Sequence, residues 1–254
     1  MSPATIAAQM FVLELQVRGL RVRARLNDIV VFEGLVTERK IVQVKLNPWI
    51  IEGRNLITLE LAAAGTNGPS MRLAVLRGEH GKEPGPEGRL ASFEWERPAG
   101  AVLAEVWRTE FNAQAGFGRW AWQDAPEGPL SETDQSAIRL LVKATAAALR
   151  SRDAAAIEKL LAVKNTEMPM ALGIDAGNYA QGQDAFFGGL FSSSEWIVSS
   201  WDSEQLRITP QAGGRLATVT GPRGEPPISG SAGDRRFLLP VTVGRIRGEW
   251  RIVR

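Results

Sequence analysis

The residues of this chain that could perform chemistry are few, and the best cluster of them lies in the C-terminal half. Asp175, Tyr179 and Asp184 follow one another closely, and Tyr179 is the only tyrosine. A carboxylate in an apolar cavity can act as a general base because burial raises its pKa, and a phenol can donate a hydrogen bond to a developing oxyanion. The simpler interpretation, which we favour, is that residues 175–178 form a polar turn.

Aromatic side chains that could line a pocket follow these polar residues. Phe187, Trp196 and Trp201 are the main ones, and Phe186 and Phe191 lie beside them. Trp196 and Trp201 are separated by an odd number of residues, so in a regular strand they face opposite sides. An ordinary role in the core is the favoured alternative. We assign no catalytic residue, and the ligand-pocket candidates are Asp175, Tyr179, Asp184, Phe187, Trp196 and Trp201.

Composition excludes several other kinds of site. The chain of 254 residues has no cysteine and one histidine, His80. A disulfide, a cysteine nucleophile and a cysteine-ligated zinc site therefore cannot form, and one histidine cannot build a multi-histidine metal site. His80 lies in a segment rich in glycine and proline, residues 77–88, and we expect it to be exposed and inert. We predict no cofactor and no metal.

The charge pattern argues against nucleic acid as a partner. The net charge is only +2, and the pI of about 9.2 reflects how few groups titrate near neutral pH. Arg21, Arg23 and Arg25 alternate with apolar residues and could bind an anion, but a solvated face paired with glutamates is the favoured interpretation. Arginines near the C-terminus, from Arg235 to Arg254, could form one patch on a sheet.

Localisation can be argued only from the first residues and from hydropathy. No apolar run approaches the roughly 20 residues that span a bilayer. The first residues lack the cationic start of a signal peptide. We expect a protein without a membrane span that is cytoplasmic, or periplasmic if a signal peptide has been removed.

The elements that must position these residues differ between the two halves. Residues 11–110 contain short alternating strands separated by Gly, Pro and Asn, which predicts an antiparallel β-sandwich domain over 1–110. Residues 111–130 are a predicted linker. Ser131 and Asp134 resemble a capping box, and apolar residues then recur at helical spacing. Residues 164–182 are predicted to be irregular and Asp184–Phe191 to form one or two helical turns. Five strands are predicted after them, over 195–201, 205–209, 215–220, 236–243 and 249–253, so that 131–254 is an α+β domain.

Two stretches resemble known families. Residues 144–161, with a helix, a polar break at Ser151-Arg152-Asp153 and a second helix, resemble the opening of the NTF2-like (SnoaL-like) superfamily, and Gly248–Val253 resembles its closing strand. The resemblance implies helices packed on a curved antiparallel sheet, the cone of that superfamily. Residues 44–59, with Gly53 and Asn55, resemble a loop of galactose-binding-like or Ig-like sandwiches. There glycine permits a positive φ and asparagine bonds to the loop backbone.

These observations favour a non-enzymatic binding or interaction protein. The C-terminal cone would offer an apolar pocket for a small ligand or a sheet through which a homodimer could form, and the N-terminal sandwich would bind a protein partner. The alternative is a small-molecule isomerase or hydrolase that uses a buried aspartate of the cone. A closed pocket with a buried carboxylate would favour the enzyme.

Overall fold

A computed structural model of the chain describes residues 9–63, 68–96 and 104–254. The chain divides into two compact units, one comprising Met1–Arg119 with Ala171–Gly173 and the other comprising Trp120–Met170 with Ile174–Arg254. Residues 1–8, on which part of the signal-peptide argument depends, lie outside the described ranges. The predicted domain limits of 1–110 and 131–254, with a linker between them, stay predictions.

The first unit contains eight strands in its described part, and they pair antiparallel in two sheets. The sheet orders are β4-β1-β6-β7 and β3-β2-β5-β8. The strands are β1 (Gln9–Arg18), β2 (Leu20–Leu26), β3 (Ile29–Val36), β4 (Lys40–Lys45), β5 (Gly53–Ala63), β6 (Ser70–Glu79), β7 (Arg89–Glu96) and β8 (Ala104–Ala113). Alternate residues of both sheets, such as Leu15 and Val22, are buried in one hydrophobic core.

The arginines of β2 lie on the face opposite the buried residues, as the alternation predicts. Arg23 contacts Glu33 at 2.9 Å and Glu60 at 3.6 Å, and Arg25 contacts Glu60 at 3.1 Å. The favoured interpretation of this face, a solvated surface paired with glutamates, is therefore confirmed for Arg23 and Arg25.

The loop before β5 is organised by Asn55, as its sequence predicts. Gly53 has a φ of 83°, and the Asn55 side chain is fully buried. The Asn55 amide donates to the carbonyl of Ile51 at 2.8 Å and its oxygen accepts from the Ile51 N–H at 3.0 Å. Asn27 donates a further bond to the same oxygen at 2.8 Å. The asparagine thus satisfies a loop backbone that has no strand partner.

From Trp120 onward the chain contains four helices followed by seven strands. The helices are α1 (Glu132–Arg150), α2 (Ala154–Leu160), α3 (Ala162–Leu172) and α4 (Ala176–Phe191). The strands are β9 (Trp196–Ser200), β10 (Arg207–Gln211), β11 (Leu216–Thr220), β12 (Ile228–Ala232), β13 (Arg235–Leu239), β14 (Val241–Ile246) and β15 (Glu249–Ile252). They form the antiparallel sheets β10-β11-β14-β15 and β13-β12-β9. Taken together, the described residues form an α+β protein made mostly of antiparallel sheet.

Helix α1 begins where the sequence predicts and packs its apolar face on the sheets. The Ser131 hydroxyl accepts from the Asp134 N–H at 3.1 Å, and the Asp134 carboxylate accepts from the Ser131 N–H at 2.9 Å, which completes a capping box. Ile138, Val142 and Leu149 are buried in a core shared with the strands. Thr145, on the same face, bonds to the Leu141 carbonyl at 2.8 Å.

The prediction for residues 164–182 is wrong, because this stretch forms most of α3 and the start of α4. Pro169 lies inside α3, where it has no N–H for the carbonyl of Asn165. Gly173, with a φ of 63°, separates the two helices. Proline and closely spaced glycines ordinarily end helices, so the sequence pattern here does not look helical.

A candidate ligand cleft between three helices

Helices α2, α3 and α4 surround a cleft of about 590 Å³, within the size range of small-molecule sites. Its walls combine apolar and aromatic side chains with a few polar ones. The lining residues are Ala154, Ile157, Glu158, Ala162, Asn165, Thr166, Tyr179, Ala180, Gln183, Asp184, Phe187, Gly188 and Phe191.

Helix α4 brings three of the predicted pocket residues to this cleft. Tyr179, Asp184 and Phe187 all line it, and Phe187 lies between the other two around the helix axis. Asp184 is exposed and Phe187 is half-buried. The carboxylate therefore lies at the solvent side of the cleft, and the ring of Phe187 contributes to its apolar wall.

Asp175 has a different position and role. Its side chain accepts from the Asn178 N–H at 3.0 Å and caps the N-terminus of α4. It is exposed and is not among the residues that line the cleft. A cap satisfies one of the free N–H groups at the helix start, so Asp175 begins the helix that positions Tyr179.

The phenol of Tyr179 is half-buried and can serve as a hydrogen-bond donor. Burial raises its pKa, and the nearby positive charge of Arg254 offsets only part of that effect. The hydroxyl therefore keeps its proton across the physiological pH range.

Asn165 is one of the polar residues of the cleft that the sequence prediction missed, together with Glu158, Thr166 and Gln183. Its side-chain oxygen is buried and has no hydrogen-bond partner among the described residues. Buried polar atoms in proteins are nearly always paired, and an unpaired one costs about 1–3 kcal/mol. Its place in the cleft depends on how α3 lies beside α2 and α4, and residues 164–182 were predicted to be irregular, so no sequence signal identified it.

Trp196 lies behind the cleft as part of a row of aromatic rings. The Phe187 and Phe191 ring centroids are 5.7 Å apart, and Phe191 and Trp196 are 5.3 Å apart. Trp196 stacks on Phe237 at 5.0 Å and donates from Nε1 to the Leu149 carbonyl at 2.9 Å. It therefore supports the aromatic wall from the core and does not line the cleft.

Trp201 is separate from this group. It lies just after β9, where its indole packs against Gly221, and it lines another cleft beside α1. The structure thus brings together Tyr179, Asp184 and Phe187, and leaves Asp175, Trp196 and Trp201 outside the cleft.

The buried acidic residue of the described chain is Glu167, and it is fully engaged. It accepts from the Ala121 N–H at 2.7 Å and from Arg254 at 2.6 Å, while Arg254 lies 4.8 Å from the centre of the Trp120 ring. Each oxygen of the carboxylate accepts one of these bonds, so Glu167 joins Arg254 to the segment before α1. Burial together with the charge of Arg254 also lowers the pKa of Lys164.

The C-terminal arginines do not share one sheet. Arg254 is buried against Glu167, Arg245 contacts Asp134 at 2.6 Å, and Arg251 pairs with Glu249. Arg235 and Arg236 lie on β13, which belongs to a different sheet from β14 and β15.

Two further observations limit what the described residues can do. They contain no group of three or more His, Cys, Asp or Glu side chains arranged to hold a metal ion. None of their helices has both the length and the apolar character needed to cross a bilayer.

No protein-family model, no curated protein and no solved structure matches the chain.

Proposed function

We propose that the protein is a non-enzymatic binding protein whose helical cleft takes a small ligand with an apolar body and a hydrogen-bond donor. The observation that supports this most directly is the unpaired, buried oxygen of Asn165 among the residues that line the cleft. A donor on the ligand would satisfy that oxygen, while Phe187 and Phe191 would pack on the apolar body.

The ligand is neutral or cationic. Apart from the phenol of Tyr179, the ionisable groups that line the cleft are the carboxylates of Glu158 and Asp184. A carboxylate ligand would be repelled by both, whereas an amine would be attracted by them.

The wider architecture in this proposal is a β-sandwich over 1–110 followed by an NTF2-like cone over 131–254. The two sheets of the first unit, which share one core, support the sandwich, and its role as a protein-binding module stays a prediction. The order of elements, helices first and antiparallel strands afterwards, supports the cone. A homodimer through the C-terminal sheet stays a prediction.

Binding is favoured over an isomerase or hydrolase because neither candidate aspartate is buried. Asp175 caps a helix and Asp184 is exposed, so neither has the apolar surroundings that would make it a general base. The buried carboxylate, that of Glu167, is paired with Arg254.

Two glycines of α4 allow a matched test of the cleft. A Cβ added at Gly188 or at Gly182 meets no atom within 4 Å, but only Gly188 lines the cleft. Gly188→Leu should therefore fill the cleft, and Gly182→Leu should leave it open. Both changes should stabilise α4 by about 0.8 kcal/mol, since glycine is a poor helix former.

The measurement is calorimetric titration with naphthylmethylamine and with naphthylacetate. We expect the amine to bind more tightly than the acid, and Gly188→Leu to weaken amine binding by about tenfold or more while Gly182→Leu leaves it unchanged. Equal amine binding by all three proteins, or no amine binding at all, would overturn the proposal.

A further inference from the structure

A second cleft in the unit that begins at Trp120 has the opposite electrostatic character. It has a volume of about 280 Å³ and lies between α1 and the segment that follows β9. Arg139, Lys143 and Arg150 line it from the helix, and Ser200 and Trp201 line it from the other side. Positions 139, 143 and 150 are spaced by four and seven residues, so they share one face of α1.

The three cations of this cleft are free to bind an anion. Across the described parts of the chain, none of them has a carboxylate within 4.0 Å. Arg139 donates from Nε to the Ser203 carbonyl at 2.9 Å, which fixes its position and leaves its Nη groups available. Arg23 and Arg25 of β2, by contrast, are paired with glutamates.

The remaining wall adds a hydroxyl and an aromatic surface. Arg150 donates from Nη2 to the Ser200 Oγ at 2.5 Å, so the Ser200 proton can be donated to a ligand. Asp202 is the one acidic residue that lines the cleft, and its side chain accepts from the Glu204 N–H at 3.2 Å. The cleft therefore carries a local charge of about +2, a difference of three cations and one anion.

Trp201 is held as a platform. Its indole lies so close to Gly221 that a Cβ there would be 2.4 Å from Nε1, and its backbone N–H bonds to the Pro227 carbonyl at 3.4 Å. Trp201 is nevertheless 36% exposed. An indole that is fixed on one side and open on the other can stack against a flat apolar group.

We propose that this cleft binds a small aromatic anion, a phosphate monoester or carboxylate whose ring stacks on Trp201 while its charge contacts Arg139, Lys143 and Arg150. The guanidinium groups match the oxygens of such an anion, and the volume suits a single ring with its charged group. The site does not depend on the cleft between α2, α3 and α4, which presents carboxylates.

Lys143 gives the sharpest variant, because its side chain is exposed and makes no hydrogen bond or ion pair in the described structure. Lys143→Gln removes one cation of the cleft without disturbing the fold. Lys159→Gln is the matched control, since Lys159 is also exposed and helical but does not line the cleft. Trp201→Leu tests the aromatic surface, and circular dichroism of each variant verifies folding.

The probes are phenyl phosphate, inorganic phosphate and benzyl alcohol, titrated calorimetrically into the full chain at low salt. We expect phenyl phosphate to bind about tenfold or more tightly than either of the other probes. Inorganic phosphate lacks the ring that stacks on Trp201, and benzyl alcohol lacks the negative charge that contacts the cations. Lys143→Gln should weaken phenyl phosphate binding by about fivefold and raising the salt should weaken it further, while Lys159→Gln should leave it unchanged.

A folded Trp201→Leu variant should bind phenyl phosphate no better than inorganic phosphate. The indole Nε1–H resonance of Trp201, assigned by its absence in that variant, should shift on titration. The proposal is overturned if phenyl phosphate does not bind, if it binds no better than inorganic phosphate to the unchanged protein, or if Lys143→Gln and Lys159→Gln behave alike.

Discussion

Asn165 is the residue at which stability and ligand binding should respond in opposite directions. Asn165→Leu keeps the side-chain size, removes a buried oxygen that has no partner and places a better helix former in α3. We expect the free energy of unfolding to rise by about 1 kcal/mol. Affinity for naphthylmethylamine should fall, because the oxygen that accepts a hydrogen bond from the ligand's amino group has been removed. Urea denaturation and calorimetric titration measure the two effects.

A change of an exposed amide elsewhere in the same region provides the control for Asn165. Gln181→Leu lies on α4 outside the cleft and should leave amine binding unaltered. If Asn165→Leu lowers the free energy of unfolding, or raises the affinity for the amine, then the Asn165 oxygen is not the unpaired hydrogen-bond acceptor that the proposed function requires. A buried polar atom without a partner lowers stability, and proteins retain such a cost where function depends on it.

Asp134 should make the free energy of unfolding depend on pH in the acid range. Partial burial acts to raise the pKa of Asp134, but hydrogen bonds from Trp250 and Ser131 and the charge of Arg245 outweigh it and lower the pKa to about 2. A lowered pKa stabilises the fold above the unfolded value of 3.8. That stabilisation, about 1–2 kcal/mol after allowance for partial exposure, is lost as the pH falls from about 4 to 2.

The measurement is the urea midpoint of the unchanged protein and of Asp134→Asn between pH 5 and 2. The difference between the two proteins should be largest at the upper end and should shrink as the carboxylate takes up its proton. Glu132→Gln, in the same helical turn, is exposed and makes no ion pair in the described chain, so it should show no such pattern. A constant difference across the range would show that Asp134 acts through its shape and not its charge.

At the scale of elements, the regular parts of the fold follow from local pattern. The alternation in β1 and β2 predicts which side chains are buried, and the capping box predicts the start of α1. These elements each have one apolar face, so period and cap determine them. The entry into β5 at Gly53 and Asn55 is predictable for the same reason, since a positive φ and a side chain that bonds to the backbone are local properties.

Other elements depend on partners that are distant in the sequence. Residues 236–243 are predicted as one strand but form parts of β13 and β14, with Pro240 between them, and β12 is not predicted at all. Strand β12 has glycine and serines at its centre and lies between β9 and β13. Its backbone hydrogen bonds to both neighbours, rather than its own side chains, make it a strand.

Helix α4 shows why most of the candidate site could not be predicted. It has glycines at 177, 182, 188 and 189, and Leu190 is its buried residue. Each glycine costs a helix about 1 kcal/mol relative to alanine, so local propensity gives little support. Tyr179, Asp184 and Phe187 were predicted from residue type alone. Their grouping with Asn165 arises from how α3 and α4 pack, which the sequence pattern of neither helix reveals.

At the scale of the whole molecule, the net charge contributes little to the attraction of a charged ligand, and the local charge of each cleft contributes more. The chain carries 30 basic and 28 acidic residues, with one histidine, one tyrosine and no cysteine. Long-range attraction of a charged partner scales with net charge, which is only +2. In the two proposals, selectivity therefore comes from the clefts themselves, since one is lined by carboxylates and the other by cations.

The scarcity of groups that titrate near neutrality makes a prediction for the intact chain. Between about pH 5.5 and 9 few groups of the chain should release protons, because free carboxylates titrate below this range and most lysines and arginines titrate above it. Electrophoretic mobility should therefore change little over that range and reach zero near pH 9.2. Below about pH 5 it should rise steeply as the acidic residues become protonated. A change of several charges across the neutral range would mean that further groups have strongly shifted pKa values. It would contradict the conclusion that the net charge stays small near neutral pH.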